Sequence, residues 1–430
     1  MTDNFSIYAE LLPNIRQVSV VASLPSPCDS STRALLLSDG SRIHVTHHDD
    51  SRLLELPAAV VQGGGGSPAT LPLKPAADNG CKLTWRFPLD LAYSASAAPQ
   101  GAIATGGGAG SSVPWEAVNI AGGSTVLCRG CKAVLVPGER IKEWKDLPSA
   151  NWAEMMEFWH CHKPDDHDAE DGHRHHGHDY DDHRIKDGDK ADEQTLAGRG
   201  YGANSSIQAQ RGVGFVDLMT FLFAEDECRG VEISPREDVD ASSAVRFLPA
   251  KCAECHTKIG HFSIRSPAVT LYKWQLLLDS DKNKNDNPPS AVQCLAASLL
   301  ANVARSGSSK SLIIPMTGIL SGDDQDATKR DRALHTWILN STISYTSTLG
   351  NTTKTPAVKL LFKVIGEEEA DKMLESFSSD VQDVSLSEET LECVIDALER
   401  SNKIIPASDR NFQGWTVGLS DRWDSGKHWP

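Results

Sequence analysis

The chain has 430 residues, of which 40% are hydrophobic and 23% charged, a balance typical of a globular protein with a buried core. Its 42 basic residues are outnumbered by 58 acidic ones, and the net charge of −16 disfavours broad binding to the phosphates of nucleic acids. No apolar run approaches the roughly 18 residues that a membrane span requires, and the N-terminus has no secretion-signal pattern, so we expect a cytoplasmic and nuclear protein without a membrane partner.

The N-terminal part of the chain is predicted to consist mainly of β-strands. Apolar and polar side chains alternate from 83 to 89, which is the period of a half-buried strand. The dipeptide Asp39-Gly40 separates the β-type segments 33–37 and 42–45, and this arrangement predicts a hairpin.

Three stretches of biased composition interrupt these elements. The tracts 63–66 and 94–112 contain mostly small residues and are predicted to be loops. From 164 to 211 the chain is acidic, rich in histidine and poor in aliphatic side chains, which predicts a long disordered insertion. Histidines at this spacing can also share a zinc or nickel ion, so metal buffering is the alternative role for the insertion.

The C-terminal part is predicted to combine strands with helices. The segment 288–290 (Pro-Pro-Ser) is typical of a helix start, and Ser385 with Glu388 forms a capping-box pattern before a second helix. Strands are predicted at 214–224, 244–248, 312–314, 337–345, 358–365 and around 415–417.

The order of these elements predicts the fold class. Strands and helices do not alternate as βαβ units, which indicates an α+β fold of mainly antiparallel sheet with scattered helices. We expect a β-rich N-terminal half (1–163), the disordered acidic insertion (164–211) and an α+β C-terminal half (212–430).

Two Cys-x-x-Cys turns are the strongest indication of a site. Cys128 and Cys131 form the first knuckle, Cys252 and Cys255 form the second, and each lies between β-type segments. A two-residue spacer lets a tight turn direct both sulfurs at one ion, and two such turns supply the four ligands of a structural zinc site. Gly130 is expected to take the positive φ that such a turn often needs. The prediction is one structural Zn²⁺ per chain that holds the two halves together.

Other arrangements of these thiols fit the sequence. His256 or His261 could replace one of the sulfurs as a ligand. Alternatively, the knuckles are two independent redox pairs, or the thiols hold no metal.

A tryptophan-rich segment follows the first knuckle. Prolines 148 and 164 bound a short predicted helix with tryptophans on one face, and packing in the core is the alternative role of that face. Cys161, flanked by two histidines at the end of this helix, is placed to ligate a metal ion of this chain or of a partner. The partner-binding candidates are Trp152, Trp159, His160, Cys161 and His162.

Cys393 is a third candidate. It lies on the polar side of a predicted helix near the C-terminus, turned away from Leu391. An exposed thiol at this place could form a thioester by nucleophilic attack. The alternative is a surface cysteine without a role.

The order of these motifs resembles that of the HECT-like proteins that bind ubiquitin-conjugating enzymes. The resemblance rests on the first knuckle, the segment 144–152 (Trp-Lys-Asp-Leu-Pro-Ser-Ala-Asn-Trp), the segment 159–162 (Trp-His-Cys-His) and the second knuckle, which a strand follows. It covers most of the chain outside the insertion and the glycine-rich tracts.

The resemblance implies a protein that binds ubiquitin-conjugating enzymes and promotes the transfer of ubiquitin to substrates. In catalytic HECT domains the acceptor cysteine lies in a loop near the C-terminus. The nearest counterpart here, Cys393, lies in a predicted helix. A ligase that only holds a charged conjugating enzyme needs no such thiol, so the resemblance leaves open whether this chain is itself a ubiquitin transferase.

The resemblance also implies a second function, in messenger-RNA 3′-end processing. Members of this family resemble inhibitors or chaperones of the metallo-β-lactamase-type cleavage endonuclease and are associated with its cleavage factor. Cys161 is the position that would reach the zinc ions of the endonuclease, because a thiolate binds zinc strongly and can displace the hydrolytic water.

Overall fold

A computed structural model describes ten segments of the chain. These are residues 5–61, 67–74, 80–89, 113–147, 208–234, 246–279, 287–316, 332–350, 352–376 and 380–423. The glycine-rich tracts and the predicted insertion, apart from residues 208–211, lie outside the described residues.

The described residues form 23 strands and three α-helices. In chain order the strands are β1 (Ser6–Leu12), β2 (Gln17–Ser23), β3 (Arg33–Leu36), β4 (Arg42–His47), β5 (Asp50–Glu55), β6 (Ala69–Thr70), β7 (Lys82–Pro88), β8 (Thr125–Cys128), β9 (Val134–Val136), β10 (Glu143–Asp146), β11 (Val213–Val216), β12 (Thr220–Phe223), β13 (Val231–Ile233), β14 (Phe247–Cys252), β15 (Lys258–Ser263), β16 (Ala268–Tyr272), β17 (Leu276–Asp279), β18 (Lys310–Pro315), β19 (Arg332–Ser347), β20 (Thr355–Gly366), β21 (Gln382–Leu386), β22 (Asn411–Phe412) and β23 (Trp415–Asp421). The helices are α1 (Ala291–Ser306), α2 (Glu367–Glu375) and α3 (Glu388–Ile404).

The chain folds into two compact units. The first, called the discontinuous unit, consists of Met1–Trp115 and Asn283–Pro430, and the second, called the central unit, consists of Glu116–Lys282. The three-part organisation proposed above from composition stays a prediction.

The discontinuous unit is built on two sheets. The larger sheet has the order β22-β23-β20-β19-β1-β2-β7, and β18 joins it by pairing with β19 and β21. The smaller sheet has the order β5-β4-β3-β6. Apolar side chains from both sheets form one buried cluster, which includes Val20 and Leu83 from the larger sheet and Ile43, Val45 and Leu54 from the smaller one. The α+β class with mainly antiparallel sheet is thus confirmed.

The central unit contains a seven-stranded and a three-stranded sheet. Their orders are β10-β11-β12-β16-β15-β14-β13 and β17-β8-β9. Most pairs are antiparallel, and β10 with β11 is parallel. The predicted strand at 214–224 is wrong in detail, because the chain turns between β11 and β12, which pair with each other.

The two helix starts predicted in the C-terminal part had different outcomes. Helix α1 begins after Ser290, as predicted, and has a capping box that was not predicted: the Ser290 side chain accepts a hydrogen bond from the N–H of Gln293, and the Gln293 side chain accepts one from the N–H of Ser290. Helix α3 is capped by Ser387, and the capping box predicted at Ser385 is wrong. Ser385 belongs to β21, where parallel pairing with β18 fixes it in a strand. No described helix combines the length and apolar character of a membrane span.

Candidate metal centre

Each knuckle lies at the turn of a β-hairpin in the central unit. Cys128 is the last residue of β8, and Cys252 is the last residue of β14. Equivalent hydrogen bonds close the two turns. The backbone N–H of Cys128 donates to the carbonyl of Ala133, and the backbone N–H of Cys252 donates to the carbonyl of Thr257, both at 2.9 Å. The two halves of the cluster therefore share one local backbone design.

The turns reverse direction after the second cysteine of each knuckle. Lys132 has a φ of 65° and His256 a φ of 56°, and the N–H of each donates to the carbonyl of the first cysteine of its knuckle at 2.9 Å. The expectation that Gly130 takes the positive φ is wrong. Gly130 precedes the reversal, and a side chain there would meet its neighbours only at ordinary contact distance, 3.9 Å.

The four sulfur atoms converge on one point. Cys128 Sγ lies 3.7 Å from Cys255 Sγ, Cys131 Sγ lies 3.5 Å from Cys252 Sγ, and all four sulfurs lie within 4.8 Å of one another. Sulfurs that bind one tetrahedral zinc ion at about 2.3 Å are roughly 3.8 Å apart. The spacing is therefore that of a four-cysteine metal site, and the cluster could hold a metal ion.

The sulfurs differ in exposure and in proton affinity. Cys128 and Cys252 are buried, whereas Cys131 and Cys255 are exposed. Hydrogen bonds from the side chain and the backbone of Thr257 lower the pKa of Cys255 to about 6. The backbone N–H of Ala133 favours the thiolate of Cys131, but partial desolvation and hydrogen bonds with the other three thiols outweigh it and raise the pKa of Cys131 to about 12. Burial also raises the pKa of Cys128. A metal ion that binds here near pH 7 would therefore have to displace protons from Cys128 and Cys131.

Both histidines considered as alternative ligands have other partners. His256 Nδ1 lies 3.1 Å from a carboxylate oxygen of Glu232. His261 is buried and hydrogen-bonded to the hydroxyl of Tyr272, and burial lowers its pKa to about 4. The arrangement favours four sulfur ligands.

Gly230 joins the two knuckles through its backbone. The N–H of Gly230 donates to the carbonyl of Leu135, just after the first knuckle. The carbonyl of Gly230 accepts a hydrogen bond from the N–H of Ala253 in the second knuckle. A Cβ atom at this position would lie 2.0 Å from the carbonyl oxygen of Val134, so only glycine fits. The sequence analysis did not identify Gly230, because its role depends on a close approach between distant segments.

Among the other candidate residues, Cys393 is described by the structure and is not part of this cluster. Cys393 lies in α3 and is exposed, as predicted, while Leu391 and Leu398 on the opposite side of the helix are buried. The tryptophan-rich segment, with Trp152, Trp159, His160, Cys161 and His162, lies outside the described residues, and its partner-binding role stays a prediction. The same holds for the contact with the cleavage endonuclease.

Comparison with known proteins identifies relatives over most of the chain. A family described as HECT-like ubiquitin-conjugating enzyme (E2)-binding matches residues 10–417, a range that contains both knuckles. An uncharacterized protein of Saccharomyces cerevisiae is 21% identical over 296 residues, which is 69% of this chain and 68% of the yeast protein. An uncharacterized protein of Schizosaccharomyces pombe is 46% identical over 54 residues, which is 12% of this chain and only 15% of the relative. No solved structure matches the chain.

Proposed function

The chain belongs to the family of HECT-like ubiquitin-conjugating enzyme (E2)-binding proteins, and on this premise we propose that it binds such an enzyme and promotes the transfer of ubiquitin to substrates. The observation that carries the proposal is the family match over residues 10–417, which spans almost the whole chain and both compact units.

The position of Cys393 favours a scaffolding route. The residue lies inside the 17-residue helix α3, where backbone N–H groups donate to carbonyls of the preceding turn. These groups are therefore not free to stabilise the oxyanion that forms when a thiolate attacks a thioester. A protein that holds a charged conjugating enzyme against its substrate needs no acceptor thiol of its own.

The cysteine cluster is proposed to hold one structural Zn²⁺. Four thiolates at tetrahedral spacing form a typical structural zinc site, and they fill every coordination position. An ion without an open position does not activate water. Its role is to fix the two hairpins that carry the knuckles, and so to maintain the central unit.

The binding step can be tested with the purified full-length chain and a panel of ubiquitin-conjugating enzymes. We expect at least one of them to bind, as measured by isothermal titration calorimetry, and to discharge its ubiquitin to lysine faster when the chain is present. Failure of every enzyme in the panel to bind would contradict the proposal.

The scaffolding route has a separate test. Cys393→Ala should discharge ubiquitin at the wild-type rate, and Cys393→Ser should form no stable ubiquitin ester, as seen on a non-reducing gel. Cys28→Ser, which changes a partly buried cysteine outside the metal cluster, is the control. A loss of discharge confined to the Cys393 variants would show that ubiquitin passes through this thiol.

A further inference from the structure

A second cluster of possible metal ligands lies in the discontinuous unit, at the tip of the β4–β5 hairpin. His47 ends β4, and His48 forms the turn with a φ of 52°. This backbone conformation brings the two imidazole rings to the same side, with centroids 4.2 Å apart. A carboxylate oxygen of Asp29, from the loop before β3, lies 3.5 Å from His48 Nε2.

The hydrogen bonds of His48 favour one position of its ring proton. The hydroxyl of Ser31 donates to Asp29 Oδ1, so its hydrogen is already used. The Ser31 oxygen lies 3.2 Å from His48 Nδ1 and can only accept there. Donation from Ser31 to Asp29 at 2.6 Å therefore favours the tautomer of His48 with its proton on Nδ1 and its lone pair on Nε2.

The Nε2 atoms of both rings converge on a single hydroxyl group. Ser26 Oγ lies 2.8 Å from His47 Nε2 and 3.3 Å from His48 Nε2. The hydroxyl has one hydrogen and can donate to only one of these nitrogens. On the far side of the His47 ring, Thr32 Oγ1 lies 2.9 Å from Nδ1. Histidines that bind metals commonly have such a partner on the second nitrogen, which orients the ring.

We propose that Asp29, His47 and His48 form a binding site for a divalent transition-metal ion, with Nε2 of each histidine and Oδ2 of the aspartate as ligands. One ligand atom from each of these residues lies within 4.8 Å of those of the other two. Ligand atoms on one tetrahedral zinc ion at about 2.0–2.2 Å are roughly 3.4 Å apart, close to the observed distance between Asp29 and His48.

The surroundings of the three residues favour a cation of this class. Two imidazoles and one carboxylate are ligands that suit zinc, cobalt, nickel and iron, whereas magnesium and calcium prefer oxygen ligands alone. Asp49 and Asp50 follow directly in the sequence and add negative charge. His47 is buried, while Asp29 and His48 are exposed, so an ion can enter from solvent and complete its coordination with water.

The site can be tested by titrating the full-length chain with Co²⁺ after the cysteine cluster has been loaded with Zn²⁺. The critical variant is His48→Gly, because glycine takes a positive φ readily and keeps the turn. We expect the wild type to bind one more cobalt ion per chain than this variant at micromolar free metal. Asp29→Asn, which keeps a side-chain oxygen that can accept the hydrogen bonds from Ser31, should bind that ion roughly tenfold more weakly or worse.

A matched control separates this site from other histidines of the chain. His44→Gln changes a histidine on the opposite face of β4 and should bind cobalt like the wild type. Because every variant retains the histidine-rich segment, binding there cancels in the comparison. The extra ion should also lack the thiolate-to-cobalt charge-transfer absorption expected from a cysteine site. Equal cobalt binding by the wild type and His48→Gly, or thiolate absorption from the extra ion, would overturn the proposal.

Discussion

The two clusters of possible metal ligands differ in how the fold produces them. The cysteine cluster takes its ligands from two hairpins of the central unit that are distant in sequence, and two of its sulfurs are buried. The histidine cluster takes its ligands from residues 29–48, at a corner of the smaller sheet in the discontinuous unit. The cysteine cluster joins two hairpins that are distant in sequence, whereas the histidine cluster lies on a sheet that strand pairing and apolar packing already form.

The two regions should therefore also differ in how strongly their stability depends on a bound metal ion. The β4–β5 hairpin has a full antiparallel backbone ladder, and Ile43, Val45 and Leu54 anchor it in a large apolar core. The first knuckle lies between the short strands β8 and β9, which have four and three residues, whereas the second lies between β14 and β15, which have six residues each. We therefore expect metal removal to unfold part of the central unit and to leave the histidine corner in place.

Replacing a buried cysteine ligand should have the largest effect. Cys252→Ser should lose the metal ion and lower the free energy of unfolding by about 5 kcal/mol or more, because structural zinc contributes about 10–16 kcal/mol of binding energy in small domains. Metal analysis and hydrogen exchange over residues 116–282 would measure both effects.

Cys228→Ser is the control for this prediction. It changes another buried cysteine of the same unit, whose sulfur lies 3.6 Å from the carbonyl of Ala224 and outside the cluster. A similar loss of stability in the two variants would mean that buried thiols, and not a shared ion, stabilise the unit.

Acidification should remove the ion from the cysteine cluster. The pKa of Cys255 is lowered from the ordinary value of 9.0 to about 6 in the folded chain. The thiolate of Cys255 therefore stabilises the folded chain fully at pH values above 9.0, and this contribution is lost as the pH falls through about 6. Protons also compete with the metal at Cys128 and Cys131, whose pKa values are raised. We expect the metal content per chain to fall steeply below about pH 6.

This second prediction is checked by dialysis at graded pH followed by metal analysis. Calorimetry in buffers of different ionisation enthalpy should in addition record proton release when the ion binds at pH 7. Metal content that is constant down to pH 4 would contradict a thiolate site of this kind.

Gly230→Ala should have a smaller but clear effect. The new Cβ would lie 2.0 Å from the carbonyl oxygen of Val134, which forces apart the backbone that joins the knuckles. We expect a loss of about 2–3 kcal/mol in unfolding free energy and weaker metal retention. Gly122→Ala is the control, because a Cβ atom at that position would lie 4.0 Å from its nearest neighbour, the carbonyl oxygen of Lys142. This variant should leave the unfolding free energy nearly unchanged. Equal effects of the two variants would contradict the close approach.

The elements that the sequence predicted well depend on local patterns. Alternation over 83–89 predicted β7, and Asp39-Gly40 predicted the β3–β4 hairpin, in which Gly40 has a φ of 65°. The Cys-x-x-Cys spacing between β-type segments predicted that the two knuckles would meet. The first two signals lie within a few residues of the structure that they produce, whereas the third joins knuckles whose paired cysteines are 121 and 127 residues apart.

The failures have a different origin. Ser385 matched a helix-cap pattern, but pairing of β21 with β18 placed it in a strand, and this pairing is not visible in the local sequence. His47 and His48 would point to opposite faces of a regular strand, and only the positive φ of His48 brings them together. The sequence His-His-Asp-Asp at 47–50 was the one available signal for this corner.

Changing the turn residue of the histidine corner should have the smallest effect on stability. In the presence of a chelator, His48→Gly should change the unfolding free energy by less than about 1 kcal/mol. The variant loses the hydrogen bonds of the imidazole, and glycine gives the unfolded chain more conformational freedom. Glycine also removes the steric strain of a non-glycine residue at a φ of 52°, which offsets these losses. The bond from the backbone N–H of residue 48 to Ser31 is retained. Urea denaturation of the wild type and the variant, with and without Co²⁺, measures the change. A loss above about 2 kcal/mol in chelator would show that the imidazole itself stabilises the hairpin. The histidine corner would then depend on its ligand side chains for stability, as we expect the central unit to depend on its cysteines.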